Sequence, residues 1–170
     1  MGYLHVYTGD GKGKSTAAFG LALRAHYAGF QVFIGQFVKD MAYHETQVVH
    51  DLSGIVIEQL GGGCFIERKP DVADVALAME GMRHCADILA SGAYQLVVLD
   101  ELTIALCYHL VSQEMVVEAL ANRHRDVEVV ITGRYAPEWL IKMADLVTEM
   151  REVKHYYASK GIEARDGIER

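Results

Sequence analysis

The chain has 170 residues, 51% of them hydrophobic, and sets 16 Lys and Arg against 23 Asp and Glu for a formal net charge of −7. A length of this order predicts a single domain over 1–170, able to bury roughly 68–70% of the surface its unfolded chain exposes without disulfide staples. The acidic balance lacks the broad basic face that a phosphate backbone requires, which excludes a general nucleic-acid binder, and no apolar run reaches the ~18–20 residues of a membrane span.

The opening Met1-Gly2-Tyr3-Leu4-His5 has neither the basic stretch nor the apolar stretch of a signal peptide, so a cytoplasmic protein is expected. Leu4 to Tyr7 is the first apolar run. The glycine-rich segment Thr8 to Thr16 follows it, and an Ala-rich helical stretch, Ala17 to Ala28, comes next. Further apolar and β-branched runs recur at Gln31 to Val38, Ile55 to Leu60, Tyr94 to Leu99, Val127 to Thr132 and Leu146 to Met150. They are too continuous for half-exposed strands and predict a buried, mostly parallel sheet.

The clearest helix spans Asp71 to Ala90, with Val72, Val75, Ala76, Met79, Met82, Ala86 and Leu89 on one expected core face. Pro70 and Asp71 mark its start. Gly61-Gly62-Gly63 is a candidate mobile loop, and the polar tail from Ala158 to Arg170 is either frayed or folded over a site. Cys64, Cys85 and Cys107 form no CxxC pair and are expected to be packed thiols. Met79, Met82 and Met143 are expected in the core. Trp139 is expected to pack at a helix start. His44, His50, His84 and His109 show no metal-ligand spacing and read as surface or packed residues. Strands alternating with helices predict a three-layer α/β sandwich with right-handed crossovers, its ligands beyond the carboxyl ends of the strands.

Thr8-Gly9-Asp10-Gly11-Lys12-Gly13-Lys14-Ser15-Thr16 stands between a strand and a helix, the context a phosphate loop requires. Its glycines let backbone N–H groups converge on phosphate oxygens, the following helix offers its positive end, Lys14 brings charge and Ser15 a hydroxyl for Mg²⁺. The strict pattern has Gly where this chain has Thr8. A second signal is Leu96-Val97-Val98-Leu99-Asp100-Glu101, an apolar strand ending in two acids that can hold Mg²⁺ directly or through water. Together they predict a magnesium nucleotide site and leave the reaction open.

The chain resembles the P-loop ATP:corrinoid adenosyltransferases. The resemblance rests on the Thr8 to Gly20 segment with Arg24; Gln36-Phe37-Val38-Lys39; Val98-Leu99-Asp100-Glu101-Leu102-Thr103; Val130-Ile131-Thr132-Gly133-Arg134; Ala144 to Glu149 with Val153-Lys154-His155; and the closing Lys160 to Ile168. It implies a RecA-like P-loop NTPase fold, commonly homodimeric. It also implies attack of a cobalt(I) corrin, cobalamin or a precursor, on the 5′-carbon of ATP with release of triphosphate, the electrons coming from an external reductant such as a flavoprotein. Lys12, Lys14 and Glu101 would then be catalytic, with Ser15, Asp100 and Glu101 on the metal. ATP and corrinoid would meet the loop residues Thr8 to Thr16, Arg24, Lys39, Arg134, Phe65 and Ile66, and His155 lies in a family-like run.

The chain departs from the family at Gly61 to Glu67, where members carry an aromatic segment over the lower corrin face. Ile66 stands at the family's Trp position and Phe65 is the only aromatic. Lys12 is a further candidate contact to the triphosphate. A small-molecule P-loop kinase or NTPase, and a non-catalytic ATP- or corrinoid-binding regulator, are the alternative readings, although the dispersed arginines do not form the cluster of a kinase lid.

Overall fold

The computed structural model describes residues 1–38, 44–62 and 69–168. Six strands, β1 (Leu4–Thr8), β2 (Val32–Gln36), β3 (Ile55–Gln59), β4 (Leu96–Asp100), β5 (Glu128–Thr132) and β6 (Leu146–Glu149), form one sheet in the order β3-β2-β4-β5-β1-β6. Every pairing is parallel, as the continuous apolar runs predict for strands covered on both faces.

Helix α1 (Lys14–Tyr27) packs Ala18, Ala22 and Ala25 on one face against Val32, Ile34, Val98 and Val130. The helices α3 (Val72–Ser91), α4 (Leu102–Cys107), α5 (Gln113–Ala121) and α6 (Glu138–Met143) cover Phe33, Val97, Leu99, Val129 and Ile131 on the other. This is the expected three-layer sandwich of a P-loop NTPase fold. A short α2 (Val48–Asp51) and a C-terminal α7 (Tyr156–Lys160) complete it.

Several expectations change in detail. Leu146 to Met150 reads as a buried strand, but β6 is an edge with a single neighbour, and Leu146 and Val147 are 42% and 41% exposed. Helix α3 begins at the expected place, where the Asp71 carboxylate accepts hydrogen bonds from the backbone N–H groups of Ala73 and Asp74, and the Asp74 carboxylate in turn accepts one from the Asp71 N–H. Such a capping box contributes about 0.5–2 kcal/mol. Its buried face, however, is Asp74, Ala78, Gly81, Met82, Cys85 and Leu89, while Val72 and Ala76 face solvent. Small residues decide the rotation: a Cβ at Gly81 would lie 2.6 Å from Leu60 Cβ, so only glycine admits the helix this close to β3.

Gly61 answers a similar need, because a Cβ there would strike the Phe37 carbonyl; Gly63 lies outside the described residues. Cys85 is buried, which together with Glu58 pushes its thiol pKa well up, whereas Cys107 is exposed and Cys64 lies outside the described residues. Met82 is buried as expected, but Met143, at the open end of α6, is 42% exposed. Trp139 packs against the core as expected.

Candidate functional site

The strand ends are level: Tyr7 pairs with Thr132, Gln36 with Asp100 and Thr8 with Glu149. The phosphate loop therefore leaves β1 at the carboxyl edge. Thr8 is still the last strand residue, and the turn falls at Gly9, whose φ is +98°. This explains why threonine serves where the strict pattern has glycine: the left-handed conformation that needs glycine begins one residue later. Gly13, with φ of +117°, caps α1 at its N-terminus. No acidic residue lies in the first turn of α1, so the positive end of the helix is open to an anion.

Lys14 is buried at 7% exposure, and its ammonium donates hydrogen bonds to the carbonyls of Gly9 (2.8 Å) and Gly11 (2.7 Å). Burial lowers its pKa, Glu101 and Asp10 pull it back up, and the Arg134 charge lowers it further. The electrostatics thus bring Lys14, Asp10, Glu101 and Arg134 into one neighbourhood. Ser15 is partly exposed beside Lys14, and Thr16 is exposed.

The two acids do not stand on the strand next to the loop. β5 separates β4 from β1, so Asp100 is two strands away and fully buried. Its Oδ1 accepts from the Thr132 hydroxyl at 2.7 Å and its Oδ2 from the Gln36 amide at 3.2 Å. Glu101, partly exposed, begins α4 in the left-handed region with φ of 60° and ψ of 20°. Its backbone N–H donates to Thr132 Oγ1 at 3.0 Å. Thr103 Oγ1 donates to the carbonyl of Arg134 at 2.7 Å, with the Thr132 carbonyl 3.3 Å away, which holds the turn carrying Arg134. Gly133 is required in that turn: its φ is +132°, and a Cβ would lie 2.2 Å from Thr103 Oγ1 and 3.2 Å from Glu101 Oε2.

The tail folds over the loop rather than fraying. Gly11 N–H donates to the Met150 carbonyl at 2.7 Å, the Lys12 ammonium donates to the Ile168 carbonyl at 2.8 Å, and His44 pairs with Asp166 at 2.9 Å. Arg165 stacks 4.8 Å over the Tyr156 ring, and His155 caps α7 by accepting from Tyr157 N–H at 3.1 Å. Arg24 lies in the last turn of α1, ten residues beyond Lys14 and so about 15 Å along the axis. There it lowers the Tyr7 pKa against the stronger raising effects of burial and Glu128. Lys39, Phe65 and Ile66 lie outside the described residues.

Gln36 and Thr132, both buried and bonded to Asp100, are residues to which sequence reasoning gives no individual role beyond the family-like stretches that contain them. The available signal is a polar side chain closing an otherwise apolar buried strand.

The whole chain, residues 1–170, matches the family described as ATP:corrinoid adenosyltransferase BtuR/CobO/CobP. It is 35% identical to the corrinoid adenosyltransferase of Escherichia coli over 99% of this chain and 85% of that one. It is 36% identical to corrinoid adenosyltransferase CobA of Salmonella typhimurium, with the same coverage, and 38% identical to the corrinoid adenosyltransferase of Sinorhizobium sp, over 99% of this chain and 80% of that one. The fold is also similar to that of the flagellar accessory protein FlaH from Methanocaldococcus jannaschii, at a TM-score of 0.58 and 11% identity over 86% of this chain and 70% of that one. With the phosphate loop in its expected place between β1 and α1 and the match running from end to end, the chain belongs to the ATP:corrinoid adenosyltransferase family.

Proposed function

We propose that the chain transfers the 5′-deoxyadenosyl group of ATP to the cobalt(I) of a corrinoid, cobalamin or a precursor, with release of inorganic triphosphate. The observation that carries this reading is the phosphate loop with its buried Lys14 beside Glu101 and Arg134, in a chain whose relatives are named for this activity. The cobalt(I) electron pair forms the cobalt–carbon bond as the C5′–O bond breaks, and that bond's pair leaves on the triphosphate. No proton has to be removed, so the chemistry asks for no base.

What it asks for is neutralisation of charge growing on the leaving group, which preorganised cations and backbone N–H groups supply. The loop's N–H groups, the α1 N-terminus, Lys14, Lys12 and Arg134 serve that purpose. Lys14 exchanges the carbonyls of Gly9 and Gly11 for phosphate oxygens when the nucleotide enters.

Among the described residues no group of three or more His, Cys, Asp or Glu could hold a metal ion unaided. The oxygen donors Ser15, Asp100 and Glu101 suit Mg²⁺ held jointly with a triphosphate, the usual arrangement for an ion that keeps much of its water. Because both Asp100 oxygens already accept hydrogen bonds, Asp100 fits a water-mediated contact. When bound, Mg²⁺ would supply charge neutralisation at the triphosphate. Lys39 and Arg24 join the nucleotide site, and Phe65 and Ile66 cover the corrin, on the strength of the family resemblance. A homodimer, an external reductant such as a flavoprotein and a cytoplasmic location belong to the same reading. Among the described residues no helix is long and apolar enough to cross a membrane.

The test is a visible-absorption time course of cob(I)alamin with Mg·ATP under strong reductant, triphosphate being assayed in parallel and Lys14→Ala serving as control. Photolabile adenosylcorrin with matching triphosphate is expected from the wild type and not from the variant. Phosphate or ADP without adenosylcorrin would replace the reading with an NTPase or kinase.

A further inference from the structure

At the carboxyl edge of the sheet, three neighbouring strands end in side chains that hydrogen-bond in a row: Gln36 on β2, Asp100 on β4 and Thr132 on β5, all 0% exposed. Gln36 Nε2 donates to Asp100 Oδ2, Thr132 Oγ1 donates to Asp100 Oδ1, and Thr132 Oγ1 accepts from Glu101 N–H. The row has one direction. A hydroxyl has a single hydrogen, and giving it to Asp100 leaves the lone pairs for Glu101 N–H. Turned over, the Gln36 amide would set its oxygen against the carboxylate, so Asp100 also fixes the amide.

The far side of that amide, Gln36 Oε1, is buried with no partner among the described residues. An orphaned buried acceptor is costlier to keep than an apolar side chain of similar shape, and features of this kind persist where something other than packing requires them. The row ends at Glu101, whose left-handed backbone is held only if its surroundings over-determine it. Its carboxylate stands against Gly133 and acts on the Lys14 ammonium.

We propose that Gln36 and Thr132 are positioning residues of the nucleotide site, Thr132 by accepting from the Glu101 N–H and Gln36 through Asp100, and that together they hold Glu101 in the left-handed conformation that sets its carboxylate against Gly133. Gln36 sits three strands from β1 and works entirely at second hand. The inference rests on the adenosyl-transfer reading for its kinetic readout and on the hydrogen bonds alone for its structural one.

The experiment uses the full chain as wild type, Thr132→Val, Thr132→Ser and Gln36→Leu. Removal of a residue that orients a working group typically costs 10–100-fold. Thr132→Val is therefore expected to lower kcat by about 10–100-fold with KM for ATP shifted far less. Gln36→Leu should lower kcat by roughly 10-fold, and Thr132→Ser, which keeps the hydroxyl, should stay close to wild type. Hydrogen exchange is read on the same proteins without substrates. The Glu101 amide should exchange at least about 10-fold faster in Thr132→Val and in Gln36→Leu, while the amides of Val98 and Leu99 stay protected.

Unchanged kcat in both apolar variants, a Thr132→Ser loss as large as that of Thr132→Val, or acceleration spread over all of β4 overturns the proposal. If the wild type forms no adenosylcorrin, the reaction reading fails, and the Glu101 exchange rates alone decide the row.

Discussion

Glu101 joins the carboxylate proposed for the nucleotide site to a backbone conformation that L residues avoid, and two substitutions separate those properties. Glu101→Ala and Glu101→Gly both remove the carboxylate, and both keep the backbone N–H that bonds Thr132 Oγ1 at 3.0 Å. They differ in the cost of φ at 60°. An alanine there meets the left-handed penalty of about 1–2 kcal/mol, which glycine does not. Glycine loses about 0.5–1 kcal/mol more backbone entropy on folding. At mid-range, about 1.5 against about 0.75 kcal/mol, the difference leaves the glycine variant more stable by ~0.75 kcal/mol, the opposite sign from an ordinary helical position, where alanine wins by a similar amount. With an m-value near 2 kcal/mol/M, the urea midpoint of Glu101→Gly should stand ~0.25–0.5 M above that of Glu101→Ala. Adenosyl transfer should fall alike in the two, because both lack the carboxylate proposed to serve the nucleotide site. An alanine variant as stable as the glycine variant would refute the strained geometry, and with it the idea that the row of strand-end hydrogen bonds is needed to maintain it.

Two further outcomes are expected. The folded Lys14 pKa lies below the ordinary 10.5, so the unfolded chain binds more protons between the two values and stability rises with pH across that alkaline window. The urea midpoint of wild type should climb relative to that of Lys14→Met as pH approaches 10.5, and parallel curves would show that the ammonium is not desolvated. Lys12→Ala should release the tail that its ammonium holds at Ile168: trypsin should cut more quickly at Lys160 and Arg165, with global stability changed by less than about 0.5 kcal/mol. Saturating ATP should do the same to wild type if the triphosphate recruits Lys12, and an unaltered cleavage rate in both cases would leave the tail contact without consequence.

Much of this architecture was legible because strands buried on both faces are written as unbroken apolar runs; β2, β4 and β5 are buried strands of that kind, whereas β3, like β6, lies on an edge of the sheet and is only partly buried. Leu146 to Met150 carries the same composition but lies on an edge, and composition does not say how many neighbours a strand has. The phosphate loop was readable from local spacing alone, since Gly9 and Gly13 answer the local need for a positive φ. The insertion of β5 between β1 and β4 was not, because strand order is a long-range property. Helix α3 announced its start through Asp71 but not its rotation, which Gly81, Ala78 and Cys85 set by being small rather than by being apolar. The short helices α4, α6 and α7, of five or six residues each, hold too few turns to display a period. Gln36 and Thr132 stayed unassigned for a related reason: one polar residue at a strand end means little until its neighbours across the sheet are known.

The strand order also sets when the site can exist. The phosphate loop belongs to the first dozen or so residues, yet β1 takes its two neighbours from Val129 to Thr132 and from Leu146 to Glu149. A ribosome delivering the chain in the N-to-C direction makes the loop well before either of its supports. Because parallel neighbours cannot be joined by a tight hairpin, β1 must wait through some 120 residues of synthesis, at about 5–20 residues per second, before either flank arrives. During those seconds β2, β3 and β4 can assemble among themselves, with β1 and its glycine-rich turn still unpaired. The nucleotide binding proposed for the loop is thus a property that the nascent chain acquires only after β5 and β6 have been made, and truncation within those strands would remove it while leaving the β2–β3 and β2–β4 pairings intact.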